Sequence, residues 1–146
     1  VVAQTRTAAR ALGFGGVGQY AVLPGRSAML RLSASPTFLV AAPSNMQPQG
    51  LVTLAKFEAR KNNTREVVIG GGYMSYSSGI HPDRIVQTTV APAASQAGAP
   101  AGMMIYEVKP AGELAGGEYA LIIAAGAQPA AGMAGMMGTF YDFGVD

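Results

Sequence analysis

The sequence contains a single histidine, which any histidine-based catalysis would have to use. His81 lies close along the chain to Ser77, Ser78 and Asp83, the residue types of a hydrolytic triad. Triad members normally come from separated segments that the fold brings together, and a local cluster seldom has the required geometry. His81 precedes Pro82, so we interpret it as a loop residue. We therefore expect no catalytic site here and no enzyme activity.

Two short strings match known sites by their letters alone. Gly13-x-Gly15-x-x-Gly18 matches the dinucleotide fingerprint, which works only between a buried strand and a helix N-terminus. Residues 19–23 predict a strand at that place, so no nucleotide is expected. Asp142-Phe143-Gly144 spells the metal-binding triplet of kinases, but the accompanying lysine and catalytic loop are absent. We interpret it as a terminal strand with buried aromatic residues and Asp142 pointing outward. No cofactor or metal is predicted.

Methionines cluster in a segment rich in glycine and alanine, at Met133, Met136 and Met137. Thioethers can bind Cu(I), and methionine is also a flexible filler of apolar contacts between molecules. Because no histidine or second soft ligand accompanies the segment, we favour the contact interpretation. These methionines, with Phe14 of the N-terminal segment, are the candidate interface residues.

Composition limits the possible functions. Charged residues make up 12% of the chain, about half the usual share for a soluble domain. A surface so poor in charge favours association with copies of itself or with a partner. The net charge of +2, without a clustered basic stripe, does not indicate nucleic-acid binding. The absence of cysteine excludes disulfides and thiolate chemistry.

Length and terminal sequence predict one exported domain. The 146 residues suit a single hydrophobic core. The chain begins Val1-Val2 without methionine, so we expect a removed secretory signal and a secreted, periplasmic or cell-surface location. No apolar run is long enough to predict a membrane span.

The pattern of apolar residues predicts an all-β domain at residues 19–146 and a flexible arm at residues 1–18. The arm includes a short helical turn at Thr5–Leu12, followed by a run rich in glycine. Alternation and β-branched runs then predict about seven or eight strands. A hairpin is expected around Asn62 and Asn63, because asparagine tolerates the left-handed backbone of tight turns. Nine segments carry these patterns, at residues 20–23, 28–32, 37–41, 51–60, 65–70, 85–90, 103–109, 119–124 and 139–144, and the seven or eight strands are expected among them.

One motif favours a particular sandwich. Residues 114–119 read L-A-G-G-E-Y, and this pattern of Leu114, Gly117 and Tyr119 resembles the tyrosine corner of immunoglobulin-like Greek-key domains. The resemblance implies a β-sandwich in which the tyrosine hydroxyl bonds back to backbone at the crossover. The immunoglobulin cysteine pair and tryptophan are absent. The run G-E-Y-A-L and the ending Y-D-F-G-V-D also resemble those of uncharacterised bacterial exported proteins.

The sequence therefore predicts an exported β-sandwich that assembles with itself, as a filament or surface-layer subunit. The arm could lie along the edge strand of a neighbouring copy. The alternative is a module that binds a cell-surface glycan or another protein. Tyr73 and Tyr76 are the candidate contacts for it, because exposed tyrosines stack on sugars and anchor interfaces.

Overall fold

The computed structural model describes residues 4–8, 18–71, 80–124 and 139–146. Within these ranges the chain forms eleven β-strands, two single-turn 3₁₀ helices at Pro48–Gly50 and Pro82–Arg84, and no α-helix. The strands are β1 Gln4–Ala8, β2 Gly18–Pro24, β3 Arg31–Leu32, β4 Phe38–Pro43, β5 Val52–Ala59, β6 Thr64–Gly71, β7 Ile85–Val86, β8 Thr88–Pro92, β9 Met103–Pro110, β10 Gly117–Ile123 and β11 Thr139–Val145.

The strands form two sheets. The large sheet has the order β1-β2-β6-β5-β10-β11-β3, with β7 also paired to β5, and the small sheet has the order β4-β9-β8. Neighbours are antiparallel except β3, which runs parallel to β11. The predicted all-β, two-sheet class is confirmed. The arrangement is sandwich-like, but it is not specifically that of an immunoglobulin domain.

Strands β5 and β10 lie side by side at the centre and are covered on both faces. One face packs toward β2 and β6, and the other packs toward the small sheet. This explains why β10 is a nearly continuous apolar run, since a strand covered on both sides has no polar face. The first face contributes Ala55, Phe57, Ala120 and Ile122, which meet Ala21, Leu23 and Val67. The second contributes Val52, Leu54, Tyr119 and Leu121, which meet Val40 and Val108.

The predicted hairpin connects β5 and β6. Its turn places Asn63 at a φ of 60°, and the N–H of Arg60 donates to the carbonyl of Thr64 at 2.7 Å. The two strands pair only next to the turn, at Glu58↔Glu66 and one further position. On its other edge β6 pairs with β2 along its whole length, and beyond the turn β7 takes the place of β6 beside β5.

Two predicted elements differ in the structure. Gln4–Ala8 forms a strand on β2, where a helical turn was expected. The predicted strand at residues 28–32 is reduced to Arg31–Leu32. At Ala28 the backbone bonds to a side chain instead of to a neighbouring strand, because its N–H donates to Glu118 Oε2 at 2.6 Å. The division into an arm at residues 1–18 and a domain at residues 19–146 stays a prediction.

Candidate functional site

His81 occupies a local capping position. Its Nδ1 accepts a hydrogen bond from the N–H of Asp83 at 3.2 Å, at the start of the 3₁₀ helix Pro82–Arg84. Its own N–H donates to the carbonyl of Val68 at 2.9 Å. The side chain is half-buried, and the backbone hydrogen bond to Val68 positions the loop against β6. In the described ranges no three histidine, aspartate or glutamate side chains form a group that could hold a metal ion.

The most concentrated charges of the described chain lie inside it. Arg65 on β6 is only 3% exposed and points into the layer between β6 and β10. Its Nη1 lies 2.8 Å from Asp142 Oδ2 and 3.6 Å from Glu118 Oε2. The 2.8 Å contact is an ion pair without the alignment of a hydrogen bond. The Nε and Nη2 atoms donate to the carbonyls of Gly25 and Pro24 at 3.1 and 2.8 Å.

A second arginine extends this group to the surface. Arg31 donates from Nη1 to Glu118 Oε1 at 2.7 Å, and from Nη2 to Asp146 Oδ1 at 2.6 Å. These hydrogen bonds, first to Glu118 and then to Asp146, raise the pKa of Arg31 above its ordinary value. Because the pKa of Arg31 is higher in the folded state, the stability that these hydrogen bonds contribute is fully present at any pH below the pKa of the unfolded state. It is lost only as the pH rises through the higher value.

We name Arg31, Arg65, Glu118, Asp142 and Asp146 the C-terminal ion cluster. Through these residues the cluster connects β3, β6, β10, β11 and the residue that follows β11. Gly144 gives Arg31 its position, because a Cβ at Gly144 would overlap the guanidinium. Every member of the cluster has an opposite charge beside it, so ion pairs connect these strands.

The prediction that Asp142 points outward is wrong. Along β11, Asp142 alternates with Tyr141 and shares its face with Phe140, which is 1% exposed. The carboxylate is therefore directed toward Arg65, with 16% of its side chain exposed, whereas Tyr141 is 57% exposed. The sequence carried a signal for this, because Arg65 has the same phase as the buried Val67 on β6.

The residues of the predicted corner lie together at the start of β10. The Tyr119 hydroxyl donates to the carbonyl of Ala115 at 2.7 Å, and its ring stacks on Phe143 with centroids 5.7 Å apart. Leu114 is buried, and its N–H donates to the carbonyl of Ala34 at 2.8 Å. Gly117 has a φ of 153°, and a Cβ there would lie 3.1 Å from Lys56 Cε. Lys56 Nζ lies 5.6 Å from the centroid of the Tyr119 ring.

The other predicted site residues lie outside the described ranges. They are the candidate interface residues Phe14, Met133, Met136 and Met137 and the candidate ligand contacts Tyr73 and Tyr76. Their assignments stay predictions.

An apolar surface that the sequence did not single out lies on the small sheet. The inner side chains of β4 and β9, such as Val40 and Val108, are buried against β5 and β10. The outer side exposes Leu39 at 68% and Met103 at 38%. In the strand register, Ala41 and Ile105 lie opposite each other between them. We name these four residues the outer apolar face; Leu39, Ala41 and Met103 are exposed on it and Ile105 is half-buried. Such a patch usually marks an interaction site.

Charge is nearly absent from the small sheet. Strands β4 and β8 contain no charged residue, and β9 carries only Glu107 and Lys109, which form an ion pair with each other. Small exposed residues such as Ala91 occupy the rest of the outer side. A partner could therefore approach the outer apolar face without desolvating an unpaired charge.

Comparison of the chain with protein-family models, curated proteins and solved structures found no match. Over the described residues, no helix has the length and apolar character needed to cross a membrane. Function is therefore inferred from the contacts and exposed surfaces of this chain.

Proposed function

We propose that this chain is an exported structural module that assembles with copies of itself, as the subunit of a filament or surface layer. The observation that carries the proposal is the outer apolar face of the small sheet. Leu39 is 68% exposed there, on β4, which like β8 contains no charged residue. In water this apolar area favours burial against a partner.

The distribution of charge supports the proposal. Apart from the C-terminal ion cluster, four residues of the large sheet and its neighbouring loop form what we name the hairpin ion network: Glu58, Arg60, Glu66 and Arg84. Arg60 lies 2.9 Å from Glu58 and 3.3 Å from Glu66, and Arg84 also pairs with Glu58. In a chain with so few charges, these pairs concentrate the ions on the large sheet. In the small sheet β4 and β8 contain no charged residue that would oppose association.

Light scattering coupled to size-exclusion chromatography tests this proposal. The monomer has a mass of 14.9 kDa. We expect the mass of the eluting species to exceed this value and to rise with protein concentration up to about 1 mM, since weak interfaces have dissociation constants in the micromolar to millimolar range. A monomer at every concentration would refute self-assembly.

A glycan- or protein-binding role through Tyr73 and Tyr76 is the alternative. A glycan array run with the Tyr73→Ala, Tyr76→Ala double variant tests it directly. Binding that disappears in the variant would favour this role, and an absence of binding by the unmodified chain would remove it for glycans.

A further inference from the structure

Strand β4 is an open edge without the usual protection. It forms one end of the small sheet, and in residues 4–8, 18–71, 80–124 and 139–146 no strand pairs with its outer side. Its sequence, Phe38–Pro43, contains no charged residue, and its only proline is the last residue. Natural edge strands usually carry a lysine, an internal proline, a bulge or a cover that prevents pairing with another chain. The register of β4 with β9 is continuous, so no bulge interrupts it.

The backbone groups that β4 offers can be identified. On β9, the N–H of Ile105 donates to Gln96 Oε1 at 2.8 Å, and its carbonyl accepts from the N–H of Ala93 at 2.9 Å. Both groups of Ile105 thus point to the β8 side. Its opposite residue on β4 is Ala41. Because successive residues of an antiparallel strand face alternate neighbours, Ala41 and Leu39 direct their N–H and C=O away from β9.

A hydrogen bond just after the end of β4 agrees with this alternation of backbone groups that point toward β9 and away from it. The N–H of Ser44 donates to the carbonyl of Gly102 at 3.0 Å, on the β9 side. Val40 and Ala42 each lie an even number of residues from Ser44. Their backbone N–H and C=O groups therefore point toward β9. Pro43 belongs to the outward set and has no N–H, so it limits the length of any pairing on this edge.

We propose that β4 pairs antiparallel with β4 of a second copy, around a two-fold axis that passes through Val40. This inference rests on the proposed self-assembly and identifies the surface that carries it. Leu39 then lies opposite Ala41 of the second copy, and Ala41 lies opposite Leu39 of the second copy. Each of these pairs exchanges two backbone hydrogen bonds, about four in all. The two small sheets become one continuous six-stranded sheet.

The side chains of β4 are complementary to themselves in this register. On the outer side, the large Leu39 meets the small Ala41 at both symmetry-related positions. On the inner side, Phe38 lies opposite Ala42 of the second copy in the same way, and Val40 lies opposite itself. A two-fold interface requires such self-complementarity, because the same patch serves both partners. The absence of charge on β4 gives no feature that would recognise a charged peptide instead.

The contact is small, so the dimer is weak. One short strand pairing lies below the roughly 1,200 Å² that stable interfaces bury. Dimer should therefore form with rising concentration and dissociate on dilution. The two-fold arrangement uses both β4 edges, so this contact alone closes at the dimer, and a filament requires a further surface.

Two exposed leucines provide a matched pair of variants. Leu39→Lys places a charge on the edge of β4, whereas Leu30→Lys places the same charge at a residue that is 55% exposed and outside the small sheet. We expect Leu39→Lys to raise the dissociation constant by about tenfold or more, which corresponds to about 1.4 kcal/mol. Leu30→Lys should leave it unchanged. Sedimentation equilibrium on the full chain measures both, and circular dichroism checks that each variant is folded.

Amide hydrogen exchange followed by NMR identifies the pairing residue by residue. At low concentration the amides of Leu39 and Ala41 should exchange rapidly, while that of Val40 is protected by β9. At high concentration the Leu39 and Ala41 amides should slow in proportion to the dimer fraction. A third variant, Ala41→Pro, removes an outward N–H without removing a bond to β9, and should also abolish the dimer.

The outcomes separate the two proposals. If the chain is monomeric at every concentration, both fail. If it associates while the Leu39 and Ala41 amides stay exposed, or while Leu39→Lys and Leu30→Lys behave alike, self-assembly stands and the β4 pairing is overturned. Slowed exchange that appears only in the presence of a different protein would also overturn the second copy as the occupant.

Discussion

Replacing Asp142 with asparagine tests whether the C-terminal ion cluster holds the fold. The change keeps the shape of the side chain and removes the charge that lies 2.8 Å from Arg65 Nη1. Arg65 is 3% exposed and would keep only Glu118, at 3.6 Å, as a counter-charge. Breaking a buried pair by removing one partner costs about 3–5 kcal/mol, because the other charge stays buried. We expect about 3 kcal/mol, the lower end of that range, because Asp142 is 16% exposed and Glu118 remains.

Chemical denaturation followed by circular dichroism measures this loss, at one fixed low protein concentration so that self-association does not contribute. A loss of about 3 kcal/mol is large against a total stability of about 5–15 kcal/mol. In thermal unfolding it corresponds to about 6–12 °C. Asp83→Asn is the matched control, because that carboxylate is 83% exposed and should change stability by less than about 0.5 kcal/mol.

A double variant separates the lost charge from lost packing. Arg65→Met with Asp142→Leu replaces the pair by apolar side chains. Such replacements are often neutral or better, and Glu118 would keep Arg31 and the N–H of Ala28 as partners. Because Arg65→Met also removes the hydrogen bonds to the carbonyls of Gly25 and Pro24, the double variant is compared with Arg65→Met alone. The double variant should be the more stable of these two, since it leaves no unpaired charge at position 142. If Asp142→Asn costs less than about 1 kcal/mol, or if the double variant is the less stable of the two, the cluster does not act as a buried ion pair.

Three further predictions concern the large sheet. Tyr119→Phe should lower the free energy of unfolding by about 0.5–1.5 kcal/mol in urea titration, since it removes one hydrogen bond and keeps the stacked ring; an unchanged midpoint would contradict it. Phe140→Ala should cost about 3–5 kcal/mol, while Tyr141→Ala next to it should cost far less, because Phe140 is buried and Tyr141 is exposed; equal losses would show that the faces of β11 are assigned wrongly. Gly144→Ala should displace the Arg31 guanidinium and lower the thermal midpoint by less than Asp142→Asn does. In a variant that already carries Arg31→Ala, Gly144→Ala should cause no further loss of stability. An additive loss would show that Gly144→Ala does not act through Arg31.

The local elements were predictable because their signals are local. The β5–β6 hairpin follows from alternation on both sides of a turn that contains Asn63, whose backbone is left-handed in the structure. The central position of β10 follows from its continuous apolar run. The pairing order was not predictable in the same way. At Ala28, for example, a hydrogen bond to the side chain of Glu118 takes the place of strand pairing, and it joins residues far apart in sequence.

The ion cluster was missed for a different reason. Asp142 was predicted to point outward, as charged residues in strands usually do. Arg65 and Asp142 do not, and each lies in phase with a buried neighbour, Val67 on β6 and Phe140 on β11. Two opposite charges in phase with apolar residues on different strands are a pattern that favours a buried pair. A search for that pattern would have selected these two residues from the sequence.

The buried ions and the exposed edge have a common origin in the low charge of the chain. The C-terminal ion cluster and the hairpin ion network place charge on the large sheet, so β4 and β8 are left without any. If general lack of charge drove association, a lysine at any exposed position would oppose it equally. If the edge of β4 drives it, only a charge on that edge separates the copies. Leu39→Lys and Leu30→Lys carry the same charge at similarly exposed leucines, so a difference between them can come only from the place of the charge in the fold.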